Sequence, residues 1–158
     1  MAKRTVVVMP GDGIGKVVLP EALRVLEAAG FAASWVEAGI GWEHWVEEGN
    51  PLPPRTVELI AEHRVALFGA ITSKPKERAA SELRPELRDR GLSYYSPIVG
   101  LRQRFDLDIS IRPCITFPGN PLNFKEGIDL VVFRENTEDL YAGAEFNPVP
   151  DKLRDTLA

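Results

Sequence analysis

The sequence predicts an α/β fold, and three features of its first half indicate it. Short runs of β-branched and other apolar residues, such as TVVVM at residues 5–9, have the composition of strands buried on both faces. Segments with apolar residues at helical spacing follow these runs, and turns containing glycine or proline separate the two. Strands that alternate with helices in this way are typical of a parallel sheet covered by helices.

The first strand is followed by a helix and then by a second strand. Residues 16–29 carry apolar side chains at helical spacing, and Gly30 is a natural stop. We expect this helix to begin with Pro20 in its first turn, because a missing N–H is tolerated there. Residues 33–38 are the second strand candidate.

The turn GDGIGK between the first strand and helix partly matches the dinucleotide-binding fingerprint G-x-G-x-x-G. Gly11, Gly13 and Gly15 are present, but the sixth position of the pattern is Lys16. Glu37 could imitate the acid that binds a ribose in that fingerprint. Glycines between a strand and a helix are also common for packing alone, so the residues leave both interpretations open.

Two further helices and a third strand are predicted before residue 70. Trp42 and Trp45, three residues apart in a short helix, are expected to pack inward. The next helix opens with proline and continues to His63. Residues 65–68 then form a short buried strand.

The loop after the third strand carries Thr72, Ser73 and Lys74, which offer two hydroxyls and a cation. Ligands of open α/β sheets bind beyond the carboxyl ends of the strands, so these residues are candidates for ligand contact. A solvated loop is the alternative. Residues 75–95 are rich in both charges, which predicts a solvent-facing surface with one short helix over residues 85–90.

A short helix is predicted to begin at Ser96-Pro97, which has the form of an N-cap followed by proline at the first helical position. Ser96 could be a cap only, or it could lie where free N–H groups at the helix N-terminus suit a carboxylate. Arg102 follows near the other end of the same helix.

Two more arginines and a tyrosine stand near the ends of predicted strands. Arg112 ends a half-buried strand over residues 107–112. Arg134 directly follows residues 130–133, which are apolar throughout and predict a strand buried on both faces, and Tyr141 lies seven residues further on. Internal ion pairs are one explanation, with Asp108, Asp129, Glu135 and Glu138 as available partners. A pocket for a small polycarboxylate is the other, since arginine forks bind carboxylates bidentately.

Composition excludes several classes of partner. The formal net charge of −4 argues against a nucleic-acid partner, which would need a basic face. The single cysteine, Cys114, forbids an internal disulfide framework, suits a reducing compartment and is expected to be a small buried strand residue. No apolar run is long enough for a signal peptide or a membrane span, so we expect a cytoplasmic protein without a membrane partner.

Three motifs taken together, MPGDGIG, LRQRFDLDISIRP and VVFRENTEDLYAG, resemble the β-decarboxylating dehydrogenases in order and spacing. That family comprises isocitrate, 3-isopropylmalate, homoisocitrate and tartrate dehydrogenases. The resemblance implies the isocitrate/isopropylmalate dehydrogenase-like two-domain α/β fold, N-terminal part only. Residues 1–107 would be the first part of the large domain, and residues 108–158 the start of the small domain. The family lacks the usual dinucleotide fingerprint, so Glu37 is not expected to bind a ribose.

The resemblance also implies roles for single residues. Arg102, Arg112 and Arg134 would hold the carboxylates of a 2-hydroxy acid, and Ser96 would bind its distal carboxylate. Tyr141 would help to protonate the enol left after CO₂ departs. Ile71, Thr72 and Ser73 would lie beside the nicotinamide end of NAD or NADP. The family requires Mg²⁺ or Mn²⁺, and its metal ligands and catalytic lysine are expected outside this segment.

Two departures from the family pattern bear on the substrate. Isocitrate enzymes usually have asparagine two positions after the serine, whereas this chain has Ile98, which with Val99 resembles the apolar pair of isopropylmalate enzymes. The sequence RENTED instead favours isocitrate or homoisocitrate. We expect isocitrate.

Family members are roughly twice as long as this chain and complete their sites from a partner subunit. The resemblance therefore implies a homodimer at full length and a segment that is inactive alone. A non-catalytic regulatory or binding subunit of the same family is the second hypothesis. An unrelated α/β domain with internal salt bridges is the third.

Overall fold

The structure is a computed structural model that describes residues 4–142 and 148–157. It divides into two compact units, Met1–Gly100 and Leu101–Ala158. The helices are α1 Gly15–Ala28, α2 Trp42–Glu48, α3 Pro54–His63, α4 Lys76–Glu82, α5 Pro85–Arg88, α6 Pro97–Phe105 and α7 Asp151–Leu157. The strands are β1 Arg4–Gly11, β2 Ala33–Glu37, β3 Ala66–Ala70, β4 Ile109–Ile115 and β5 Asp129–Glu135, and a single 3-10 turn spans Asp139–Ala142.

The first unit contains a three-stranded parallel sheet in the order β2-β1-β3. Val7 and Val8 of the central strand are paired with Val36 on one side and with Leu67 on the other. Val7 is fully buried, as expected for a strand with neighbours on both sides and helices against its faces. The three strands therefore end at one edge of the sheet, which the loops after β1 and β3 follow.

A second core in this unit is built on two tryptophans of α2. Trp42 and Trp45 are buried, which confirms the predicted inward packing, and Tyr94 lies 4.8 and 5.5 Å from them between ring centroids. Ala79 of α4 and Leu83 complete the cluster. Helix α4 was not predicted, because its segment is rich in charged residues and the buried alanine gives too weak an apolar pattern.

The second unit contains an antiparallel pair, β4 with β5, in which Ser110 is opposite Arg134. The predicted burial of these strands is wrong. Ile111 is 60% and Phe133 67% exposed, because the described residues provide no layer that covers this face of the pair. Cys114 is also exposed, contrary to expectation.

Several predicted boundaries differ from the structure, those of α1 and β4 among them. Helix α1 begins at Gly15, so Pro20 lies inside the helix and not in its first turn. The helix begins early because N–H groups of Gly15 and Lys16 donate to the carbonyls of Asp12 and Gly13 (3.0 and 3.2 Å) and continue the turn into the helix. Strand β4 continues past Arg112 to Ile115, so this arginine lies within the strand. The division into large- and small-domain parts after residue 107 stays a prediction.

Among the described residues, no helix is long and apolar enough to cross a membrane.

Candidate functional site

The second unit brings three of the predicted site residues together around the ring of Tyr141. The Arg134 guanidinium carbon lies 4.9 Å from the ring centroid, and that of Arg102 lies 5.9 Å from it. Cations at these distances from an aromatic face are attracted by the quadrupole of the ring. Two guanidinium groups, from the ends of α6 and β5, therefore lie close to the phenol of the 3-10 turn.

Arg134 keeps hydrogen-bond capacity that no described residue uses. Its Nη2 donates to Oδ1 of Asn136 at 3.2 Å, whereas its Nε is buried without a partner. A buried guanidinium donor that lacks an acceptor is destabilising unless a ligand supplies one. Arg134 thus has a buried donor for which no described residue supplies an acceptor.

The residues after Arg134 form a turn in which some side chains close the turn and one faces Arg134. Oε1 of Glu135 accepts hydrogen bonds from the Thr137 N–H, from the Thr137 hydroxyl at 2.7 Å and from the Glu138 N–H at 2.8 Å. Desolvation alone would raise the pKa of Glu135, but these donors outweigh it and the pKa is lowered. Glu135 and Thr137 close the turn, and Asn136, between them, is 7% exposed and faces Arg134.

Arg112 lies on the same face of the β4–β5 pair as Arg134. Ser110 is opposite Arg134 in the ladder, and Arg112 is two residues beyond Ser110, so all three project to one side. Nε of Arg112 makes only a long contact with Oγ of Ser110, at 3.4 Å. No salt bridge among the described residues includes Arg102, Arg112 or Arg134, so the internal ion pairs considered from the sequence do not form there.

A cleft of about 250 Å³ beside β5 is less suited to an anion. Its lining includes Asp108, Glu135 and Glu138, three carboxylates against the one guanidinium of Arg134. The arginine-bearing face with Tyr141 is therefore the better candidate for a polycarboxylate.

Ser96, in the first unit, is partly buried directly before α6, and its carbonyl accepts the N–H of Gly100 at 3.0 Å. Pro97 takes the first helical position and is buried, as the sequence predicted. A carboxylate-binding role for Ser96 stays a prediction.

The loop of Ile71, Thr72 and Ser73 leaves the carboxyl end of β3 and is held by Asp12. Oδ2 of Asp12 accepts the N–H of Thr72 at 3.0 Å and that of Trp42 at 2.6 Å, and Oδ1 accepts the N–H of Glu43 at 3.0 Å. Asp12 is 4% exposed. One buried carboxylate thus ties the glycine turn, the start of α2 and the loop after β3 together, which fixes the backbone of the loop, while Ile71 and Thr72 are half-buried and Ser73 is exposed.

Two glycines of GDGIG, Gly11 and Gly15, serve close packing against the backbones of β1 and β3. A Cβ on Gly15 would lie 2.1 Å from the Pro10 carbonyl oxygen, and one on Gly11 would lie 2.0 Å from that of Ala70. Lys16, which faces a cleft of about 440 Å³ at the ends of β1 and β2, is paired with Glu43. These contacts account for the motif by packing, in line with the sequence resemblance.

Asp12 and Asn136 are the two residues that sequence reasoning missed. Each is a buried polar side chain, and each holds a predicted site element in place. For Asn136 a signal was available, since it follows Arg134 at the two-residue spacing that keeps both on one face. For Asp12 there was none, because its partners lie 30, 31 and 60 residues away.

The structure is thus that of an α/β protein with a parallel sheet and an arginine-bearing antiparallel strand pair. The chain belongs to the isocitrate/isopropylmalate dehydrogenase family, whose sequence profile matches residues 5–154.

Known relatives match nearly all of this chain but are much longer. Protein DlpA of Legionella pneumophila is 39% identical over 97% of this chain and 24% of its own length. An isocitrate/homoisocitrate dehydrogenase of Thermus thermophilus is 39% identical over 85% of this chain and 36% of its own. The crystal structure of an isocitrate dehydrogenase from Methylococcus capsulatus is similar with a TM-score of 0.72 and 33% identity, over 89% of this chain and 37% of that one. The chain thus spans about a quarter to two fifths of these relatives.

Proposed function

We propose that this chain supplies the N-terminal part of a dehydrogenase that oxidatively decarboxylates a 3-substituted malate with NAD or NADP. The observation that carries the proposal is the group of Arg102, Arg134 and Tyr141, in which neither arginine forms a salt bridge with a described carboxylate. Family membership supports the same chemistry.

The arginines bind and orient the substrate. Arg102, Arg112 and Arg134 would hold its carboxylates, and Ser96 its distal carboxylate. Bidentate arginine contacts fix the direction of a carboxylate as well as neutralising it, which places the bond to be broken. Tyr141, whose ring centroid lies 4.9 and 5.9 Å from the two guanidinium carbons, would give its hydroxyl proton to the carbon that loses CO₂.

The loop after β3 fits a nicotinamide cofactor, which accepts the hydride when bound. Its backbone is fixed by Asp12, and neither the Thr72 nor the Ser73 hydroxyl makes a hydrogen bond to another described residue. Ile71, Thr72 and Ser73 would therefore contact the nicotinamide end. The described residues contain no group of three or more His, Cys, Asp or Glu that could hold a metal ion, so ligands for Mg²⁺ or Mn²⁺ would come from outside them.

Isocitrate is the substrate that the site residues favour. Ser96 and RENTED point to isocitrate or homoisocitrate, against the apolar Ile98 and Val99, which would suit 3-isopropylmalate. A homodimer of the longer protein in the cytoplasm, without nucleic-acid or membrane partners, belongs to the same proposal.

A non-catalytic binding subunit is the second candidate, because the described residues hold the carboxylate-binding side chains without a metal cluster. Reading the coding sequence beyond Ala158 separates the two candidates. Aspartates a few residues apart on a helix, with a lysine upstream, would support the enzyme, whereas a stop codon would support binding alone.

Isocitrate titrated into this chain, followed by calorimetry, tests the substrate site. We expect Arg134→Lys to weaken binding at least about tenfold, because lysine cannot form the bidentate contact. Arg104→Lys is the matched control, since Arg104 is exposed on α6 and has no partner among the described residues. Equal affinities for all three proteins would reject Arg134 as a substrate ligand. In the longer protein, Arg112→Lys should raise KM or lower kcat at least about tenfold relative to the wild type.

A further inference from the structure

Asn136 combines deep burial with a direct contact to a candidate substrate ligand. It is 7% exposed, and its Oδ1 accepts a hydrogen bond from Nη2 of Arg134 at 3.2 Å. An arginine has donors only, so the amide oxygen must face it. A buried polar side chain at the end of a strand is retained where it has such a partner.

The neighbouring turn explains why Asn136 is directed inward. Glu135 accepts the N–H groups of Thr137 and Glu138 and closes the turn from the outside. This leaves Asn136 on the side of Arg134, two residues earlier in the chain. The turn therefore directs the Asn136 side chain toward Arg134.

We infer that Asn136 is a positioning residue that sets the plane of the Arg134 guanidinium over Tyr141 and leaves its charge for the substrate. Two contacts hold that plane: the ring of Tyr141 at 4.9 Å and the Asn136 oxygen. Nε stays buried without a partner among the described residues.

The neutrality of the amide is the essential feature. An aspartate at this place would supply the same oxygen but would pair with the guanidinium and reduce its attraction for a carboxylate ligand. The amide satisfies one donor without compensating the charge. Asparagine thus orients the arginine at no loss of electrostatic attraction for a polycarboxylate.

The geometric part of the inference is tested without substrate, by the ¹⁵N spectrum of arginine Nη–H groups in this chain, because Nη2 of Arg134 is the donor to Asn136. Arg134→Lys identifies the Arg134 signal, and the exposed Arg104 is the internal reference. We expect a slowly exchanging Arg134 signal in the wild type and in Asn136→Asp, which keeps the acceptor. In Asn136→Leu, of similar size but without an acceptor, the signal should exchange as fast as that of Arg104. An unchanged signal in the leucine variant overturns the inference.

The functional part rests on the proposed function and is tested by isocitrate binding. We expect about five- to tenfold weaker binding for Asn136→Leu and at least tenfold weaker binding for Asn136→Asp. Wild-type affinity in the aspartate variant would overturn the role assigned to neutrality. Failure of the wild type to bind isocitrate, or equal binding by Arg134→Lys, would count against the proposed function, while the Nη–H spectra still decide whether Asn136 orients Arg134. The amide spectrum of each variant shows that it is folded.

Discussion

At the scale of single residues, two buried polar side chains determine where the candidate ligand groups stand. Asp12 accepts three backbone N–H groups in the first unit, and Asn136 accepts one guanidinium N–H in the second. Neither is a candidate ligand itself. Each converts a loop or a long side chain with many conformations into one with few, which is the condition for precise binding.

Replacing Asp12 by asparagine tests this at the glycine turn. The amide NH₂ cannot accept the backbone donors that the carboxylate now satisfies, and these stay buried. We expect the free energy of unfolding to fall by about 2–4 kcal/mol, measured by urea titration. Asp89→Asn is the matched control, because Asp89 is exposed and makes no described side-chain contact, and it should change stability by less than about 0.5 kcal/mol. Similar values for both variants would show that Asp12 is not a structural anchor.

The arginines and the tyrosine could be named from sequence, because a guanidinium group near the end of a strand or helix needs an anionic partner, either an internal carboxylate or a ligand. Their arrangement could not. That Arg102 and Arg134 share the ring of Tyr141 depends on how α6, β5 and the 3-10 turn pack, which local spacing does not encode. Asp12 is the extreme case, since its partners are backbone groups, which carry no residue signature.

At the scale of elements, the turn from β1 into α1 shows that a segment can partly match the dinucleotide-binding fingerprint while its glycines serve the backbone conformation and packing. Gly15 permits the close approach of the Pro10 carbonyl and the β3 backbone, at distances that admit no Cβ. Gly13, by contrast, has open space around it and a φ of +49°. The two glycines thus meet different demands: Gly15 close packing and Gly13 a positive φ.

Alanine at each glycine separates these demands. Gly15→Ala forces two backbones apart and should lower the free energy of unfolding by at least about 2 kcal/mol. Gly13→Ala meets no atom and should lower it only by the strain of a positive φ, about 1 kcal/mol. Thermal or urea unfolding of both variants measures the difference. A larger loss for Gly13→Ala would mean that packing is not the purpose of the motif.

Helices α2 and α3 are joined by an ion pair that predicts a pH dependence. Arg55 donates to both oxygens of Glu48, at 2.7 and 2.6 Å, and Nδ1 of His44 lies 2.8 Å from Oε1. The hydrogen bonds from Arg55 outweigh desolvation and, together with His44, lower the pKa of Glu48 from 4.5 to about 2. A carboxyl with a lowered folded-state pKa stabilises the protein above its unfolded pKa, and that contribution is lost as the pH falls toward the folded value.

We therefore expect the wild type to lose about 1 kcal/mol of stability from this pair between pH 4.5 and pH 2. The value is modest because the Glu48 side chain is 37% exposed, and solvent screens the pair. Glu48→Gln should remove this part of the pH dependence, whereas Glu58→Gln, on the exposed side of α3, should retain it. Urea titrations across this pH range make the comparison. Parallel pH profiles for wild type and Glu48→Gln would contradict the assignment.

Periodicity predicted the elements of the first unit well and the environment of the second poorly. Strands β1 to β3 and helix α3 lie where composition and spacing predict them, although β3, which was predicted to be buried, is half-buried with Ala66 exposed. The apolar run of β5 has the pattern of a buried strand, yet Phe133 is 67% exposed. Burial needs a partner layer, and the described residues contain none for this face.

At the scale of the whole molecule, the two units differ in how their strands are protected. Val7 in β1 is fully buried between two parallel neighbours, whereas Ile111 in β4 is 60% exposed in a two-stranded pair. An isolated two-stranded pair is at best marginally stable in water, while a three-stranded sheet with helices on it can be stable alone. The chain should therefore not unfold as a single cooperative unit.

Amide hydrogen exchange tests this difference directly. We expect the amides of Val7 and Val8 to exchange through the full unfolding of the first unit, and those of Ile111 and Phe133 at least about a hundredfold faster through local opening. Gly15→Ala serves as the control, because it should accelerate exchange in β1 and leave β4 and β5 unchanged. Equal protection in both sheets, or a parallel response of both to Gly15→Ala, would show one cooperative unit. Such a result would also mean that the exposed apolar face of β4 and β5 is covered in solution.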